Sequence, residues 1–393
     1  MTKTTVNVAK GDWSFGLSLL PYLGEGNVSV SPTSIRTALA MLSEGAEGAT
    51  LKQIIGAAYL PGDVFGRRQG FAELTSALYA ASAPYTLRCA NAIWTTRNDP
   101  VKDGYKRVVH DSYGAEANDS DFEANPESER AKINAWVADK TEKKIPELFP
   151  AGAIDTSTVL VLGNALYFKA PWNNKFDEQY TRQQSFTLGN GKKVKVSMMR
   201  KGHIDSPHQL PKFNYGEFDG VQVALLPYKG QELAAMVFLP PKGMSVVDLE
   251  AQLRNINSDL ASVQCGLKPQ RFARMEIPKH ELKGDYDLVA PLTAVGIDRM
   301  FDPHCAQLSG IADVNENEEP LYVSSGKHKT YFKTNEEGSE GAAATGFAVF
   351  RSTSAIMRPK EIAFVANRPF LETIIHPASG ACLFINRVED PRQ

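Results

Sequence analysis

The chain has 393 residues, 42% hydrophobic and 22% charged, proportions that exclude disordered and fibrous classes. Its 43 basic and 45 acidic side chains leave a formal charge of −2, without the basic excess of a nucleic-acid binder. At about 150 residues per domain, length alone suggests two to three domains.

The first twenty residues carry only Lys3 and Lys10 ahead of Trp13 and lack the apolar run of a signal peptide. No stretch approaches the roughly 18 apolar residues of a membrane span, so no membrane partner is expected. This reads as a cytoplasmic protein, although a mature form with its leader trimmed would read the same way. The first clear helical pattern opens at Ser31 and Pro32, carries Ile35, Leu39, Met41 and Leu42, and stops at Gly45. A second runs from Ser128 through Trp136 to Lys144, with Ile133, Trp136 and Val137 on one stripe. Strand patterns follow at 158–167, 194–198, 221–227 and 234–239. The Gly189-Asn190-Gly191 triplet between Phe186 and Val194 is a hairpin signal.

Residues 335–354 are the most unusual segment. It opens with Asn335-Glu336-Glu337, continues through small residues with Gly338, Gly341 and Gly346 among them, and ends in Phe347-Ala348-Val349-Phe350-Arg351. Glycines at that density disfavour a helix, and the segment reads as an exposed loop. Three more strand patterns close the chain at 361–366, 370–376 and 382–388. Helices dominate the first third and strands the rest, which predicts an α+β fold rather than alternating βαβ units.

Catalytic motifs are missing. His280-Glu281 is followed by Leu282-Lys283-Gly284, so no HExxH zinc motif forms. There is no GxSxG nucleophile elbow and no GxxxxGK[ST] phosphate loop, and Gly24-Glu25-Gly26 lacks the third glycine of a dinucleotide site. Cys89, Cys265, Cys305 and Cys382 have no zinc-ligand spacing and read as separate thiols or as one or two disulfides. No enzymatic activity, metal or cofactor is expected.

Five motifs, in order along essentially the whole chain, resemble the serpin family. They are Asn27-Val28-Ser29-Val30-Ser31-Pro32 through Met41 and on to Gly45-Ala46-Glu47-Gly48-Ala49-Thr50; Asn164-Ala165-Leu166-Tyr167-Phe168-Lys169-Ala170-Pro171-Trp172; Val196-Ser197-Met198-Met199; His328-Lys329 leading to Asn335-Glu336-Glu337-Gly338-Ser339-Glu340; and Asn367-Arg368-Pro369-Phe370-Leu371 closed by Leu383 to Val388. The resemblance implies one domain over 1–393, with about nine helices, three β-sheets and an exposed reactive loop at about 336–359. It also implies a monomer that traps a serine protease in a covalent 1:1 complex by inserting its cleaved loop into the main sheet. The alternative within the family is a non-inhibitory carrier, chaperone or binding protein.

In the loop, the resemblance assigns the hinge to Glu336, Glu337, Gly338, Ser339, Glu340, Gly341, Ala342, Ala343, Ala344 and Thr345. Counting by twos along a strand places Ser339, Gly341, Ala343 and Thr345 inward and the charged Glu340 on the solvent face. The family count from Glu336 puts the bait bond at Arg351–Ser352, suited to a trypsin-like protease, or at Ser352–Thr353, suited to an elastase-like one. Counting back from Asn367 points nearer Ala355, and Arg358 is a poor bait because Pro359 follows it. Ser31, Ser34, Asn164 and His328 match the family's polar cluster beneath the opening sheet, and Trp172 matches the tryptophan at the top of it. Three residues depart from the pattern: Asn386 replaces a glycine, Glu372 interrupts an apolar strand, and Val289 stands at the expected site of a lysine facing Glu336. That last departure predicts that Glu336 lacks its ion pair. Lys102, Lys106 and Arg107 are too sparse for a polyanion cofactor.

Overall fold

The computed structural model describes residues 5, 8–201, 211–255, 260–312, 320–339 and 362–392. Nine α-helices lie among them. These are α1 (Gly11–Leu19), α2 (Pro32–Ser43), α3 (Gly48–Ala57), α4 (Val64–Leu78), α5 (Asp103–Tyr113), α6 (Pro126–Lys140), α7 (Val246–Asn255), α8 (Leu260–Gly266) and α9 (Val289–Ala294). The strands begin with β1 (Val28–Val30), β2 (Thr86–Thr96), β3 (Glu116–Ser120), β4 (Leu160–Pro171), β5 (Arg182–Thr187) and β6 (Lys193–Lys201). They continue with β7 (Lys212–Phe218), β8 (Val221–Pro227), β9 (Ala234–Leu239), β10 (Lys268–Pro278) and β11 (His280–Asp287). The last are β12 (Val323–Thr334), β13 (Gly338–Ser339), β14 (Ile362–Val365), β15 (Phe370–His376) and β16 (Ala381–Val388).

Helix α2 starts where its sequence signal lies. Ser31 has extended backbone, its Oγ accepts the Ser34 N–H at 3.2 Å, and Pro32 occupies the first turn where no donor is needed. Every residue of α2 is buried, so its one cation must be paired inside. Arg36 donates to the carbonyls of Val8, Ala58 and Tyr59 at 2.6 to 2.7 Å and pairs with Asp12. Helix α6 begins and ends earlier than its periodicity suggests. Pro126 supplies a first-turn start, and Glu142 and Lys143 adopt φ of 52° and 61°, which no helix can continue through.

One sheet has six strands in the order β11-β12-β13-β4-β2-β3. A second runs β1-β16-β15-β9-β8-β7, and β10, β6, β5 and β14 form a third. The second and third join through β10, whose first residues pair with β7 and whose last pair with β6. The Gly189-Asn190-Gly191 signal is the β5–β6 turn, with Phe186 opposite Val194 and Gly191 at φ 81°. Between the six-stranded sheet and β16, Phe168, Phe332 and Phe384 pack ring to ring at 5.4 to 6.4 Å. The parallel pairing of β4 and β12 organises everything that follows.

Candidate functional site

Strands β4 and β12 run parallel from Leu160 opposite Val323 to Tyr167 opposite Tyr331. Above that point they no longer pair with each other, and β13 lies between them, antiparallel to both. Ser339 faces Ala170 on one side and Thr334 on the other, and Gly338 faces Pro171. A side chain at 338 would collide with the Ala170 carbonyl oxygen, so only glycine lets the chain enter this close. The expected exposed loop therefore does not begin at Asn335. Residues 336, 338 and 339 are buried, and Ser339 is already a sheet residue with its Oγ 2.7 Å from the Tyr228 hydroxyl. Glu340 to Thr345, and the bait candidates Arg351, Ser352 and Thr353, lie outside the described residues.

The entry turn is held from three directions. Asn335 Oδ1 accepts the N–H groups of Glu337 and Gly338 at 3.0 and 3.2 Å. Trp172 donates its ring N–H to the Asn335 carbonyl at 2.9 Å and its backbone N–H to the Glu337 carbonyl at 2.8 Å. Its ring stacks on Tyr228 at 4.5 Å, and Glu337 pairs with Lys175. Glu336 does have an ion pair, contrary to the expectation drawn from Val289. Lys279 Nζ is 2.8 Å from its carboxylate, and the Thr181 hydroxyl donates to it at 2.7 Å. The lysine sits at the corner between β10 and β11, fixed by its N–H to the Ser197 carbonyl at 2.8 Å. Burial alone would raise the Glu336 pKa, but the ammonium and hydroxyl outweigh it and hold the carboxyl below its ordinary value.

Lower down, the structure brings Ser31, Ser34, Asn164 and His328 together, all buried. The Ser31 N–H donates to His328 Nε2 at 3.0 Å, which requires that nitrogen to be the acceptor. The proton then sits on Nδ1, which donates to Asn164 Oδ1. The Asn164 amide donates to the Ser34 carbonyl at 3.0 Å and to Ser34 Oγ at 2.7 Å, and also to Asn91 Oδ1. Burial holds the imidazole neutral, with its pKa down to about 3. Asn164 and His328 are register partners on β4 and β12, so their bond crosses the line along which those strands would part. A third tie lies between the two sites: Tyr167 and Tyr331 lie 6.3 Å apart, and Lys144 caps both rings at 5.9 and 5.4 Å.

Asn91, Tyr228, Thr181 and Lys279 belong to this machinery and were not singled out by sequence. Each acts on a partner far along the chain, so no local pattern marks it; Asn91, a polar side chain between Ala90 and Ala92 in the buried β2 run 90–95, is the nearest to a signal.

The profile of a known family, described as "Serpin (serine protease inhibitor)", matches residues 14–391. The leukocyte elastase inhibitor of Bos taurus is 34% identical over 384 residues, covering 95% of this chain and 96% of that protein. Antithrombin-III of Mus musculus is 34% identical over 373 residues, covering 93% of this chain and 76% of that protein. The structure of Arabidopsis AtSerpin1 in its native stressed conformation superposes with a TM-score of 0.83, at 29% identity and full coverage of both chains.

Proposed function

The chain belongs to the serpin family of protease inhibitors, and on that premise we propose that it is a suicide substrate that traps serine proteases by loop insertion. The observation that carries this reading is β13, which enters between the upper ends of β4 and β12 while those two strands pair directly with each other below it. Continuing its register downward would place the first two residues between the parted ends of β4 and β12, and each later one between an existing β4–β12 pair. Glu340 would enter between Lys169 and Lys333, Gly341 between Phe168 and Phe332, Ala342 between Tyr167 and Tyr331, and Thr345 between Asn164 and His328. Gly341, Ala343 and Thr345 would face the core, Ala342 and Ala344 the solvent side. Small residues suit a lane whose first inward position is flanked by two stacked phenylalanines.

Insertion also has a driving force. It exchanges one parallel ladder for two antiparallel ones, which are somewhat more stable per residue. The chemistry up to that point is the protease's own. Its serine attacks the bait carbonyl, the peptide bond breaks, the new amino terminus leaves, and an ester links loop to enzyme. Insertion before water attacks that ester would carry the protease away with its active site distorted. We place the bait at Arg351–Ser352 for a trypsin-like enzyme, with Ser352–Thr353 for an elastase-like one as the second choice. We place the protein in the cytoplasm, in keeping with four cysteines that form no disulfide. No described helix is long and apolar enough to cross a membrane.

Incubation with trypsin and with pancreatic elastase, followed by denaturing electrophoresis, tests the proposal. A band at the summed mass is expected with at least one of them; clean loop cleavage without an adduct would point to a non-inhibitory member. Ser339→Arg is expected to turn the inhibitor into a substrate. Its guanidinium would have to enter the fully buried site where Ser339 Oγ meets the Tyr228 hydroxyl, and burying that charge opposes insertion.

A further inference from the structure

Strands β1, β16 and β15 lie side by side, and their registers align Ser29 with Asn386 and Asn386 with Glu372. Register partners in antiparallel ladders project from one face. Here that face is turned toward β11 and β12. Phe384, two residues from Asn386, packs on Phe168 and Phe332, while Arg387 on the opposite face pairs with Glu250 of α7. Glu372 reaches His280 of β11 at 2.9 Å. Thr334 is the register partner of His280 across β11 and β12.

This polar row crosses the interface between two sheets, and the described residues do not satisfy it. Ser29 Oγ, both amide atoms of Asn386, Glu372 Oε1 and Thr334 Oγ1 are buried and have no hydrogen-bond partner among the described residues. Five dry atoms of this kind would cost free energy on the scale of a domain's net stability. His280 cannot relieve them, because its Nδ1 is committed to the Pro278 carbonyl at 3.0 Å and its Nε2 to the other Glu372 oxygen. The two residues that depart from the family pattern on these strands, Asn386 and Glu372, are one register pair, so they change the interface together. Ser29 also lines a cleft between β1 and β11, bordered by Asn27, Glu281, Lys283 and Arg392, that leads to solvent.

We propose that Ser29, Asn386, Glu372, His280 and Thr334 form an interior water-binding site between the two sheets, filled through the cleft at Ser29. The waters donate to Glu372 Oε1 and Asn386 Oδ1 and accept from the Asn386 amide, which completes a pattern of two to four bonds per water. The site sits beneath the loop entry: the Tyr228 hydroxyl, which bonds Ser339, is pushed up in pKa by burial and by the Glu372 carboxylate.

A crystal structure of the full chain at a resolution that shows solvent tests this directly. Water density within about 2.7–3.2 Å of the Asn386 amide and Glu372 Oε1 is expected. A direct Asn386–Glu372 bond with no water beside it would overturn the site. In solution, oxygen-17 relaxation dispersion should show fewer long-lived waters in the Glu372→Leu, His280→Leu, Asn386→Gly triple variant than in the parent. The comparison is made on variant protein with parental circular dichroism. Equal dispersion amplitudes would also overturn it, and Asn386→Gly alone serves if the triple variant does not fold. Neither readout involves a protease, so failure here leaves the inhibitory reading standing.

Discussion

At the scale of single residues, His328 and Glu336 show how burial and pairing set opposite behaviours. His328 takes a proton near 6.5 when unfolded and only at about 3 in the fold, because burial disfavours the cation. Between those values the unfolded chain binds the extra proton, so stability falls as pH drops from about 6.5 towards 3. His328→Gln keeps one acceptor for the Ser31 N–H and one donor for Asn164 without titrating. Its thermal midpoint should fall less between pH 6.5 and pH 5, within that window, than the parent's; an equal fall would remove His328 from this role. Glu336 depends on its partner. Lys279→Ala leaves the carboxylate buried with only the Thr181 hydroxyl, a loss of about 1–3 kcal/mol in denaturant unfolding. Lys279→Arg should retain most of it. That pair was misread from sequence because the lysine comes from a strand corner far along the chain, which no local pattern exposes.

At the scale of elements, β13 and its two neighbours define a test by charge. Lys169 and Lys333 stand on the outer face just below Ser339, and Lys333 already pairs with Glu281 at 3.3 Å. If Glu340 enters between them, Lys169→Glu with Lys333→Glu places three carboxylates together. The fraction of protease trapped should fall in favour of loop cleavage, and Glu340→Lys in that background should restore it. Failure of the restoration would mean the register is not continued as proposed. Much of this architecture was legible beforehand. The bounds of β8, β9 and β15 follow directly from their apolar runs, and the start of α2 from Ser31 and Pro32. The two-residue β13 was not, because Gly338 and Ser339 carry no strand propensity and are held by Ala170 and Thr334, far away in sequence.

At the scale of the whole molecule, one apolar cluster runs from Val8 to Val388 and includes residues of all three sheets. The two halves of the six-stranded sheet are joined across β4 and β12 by pairing that ends at Tyr167 and Tyr331. The aligned run of β4 and β12 has a further consequence: it is a ruler. From the position after Ser339 down to Leu160 it accepts about ten residues, or roughly 33 Å of strand, and the tenth is Val349. The bait candidates begin two residues beyond, so the track ends where the attached protease would have to stop. Removing one residue from 346–350 would turn every later side chain to the wrong face, whereas removing two would keep the faces and shorten the carriage by about 7 Å. The single deletion should therefore abolish trapping more completely than the double one, as read from the ratio of adduct to cleaved loop. The reverse order would show that distance travelled, rather than which side faces inward, sets the outcome.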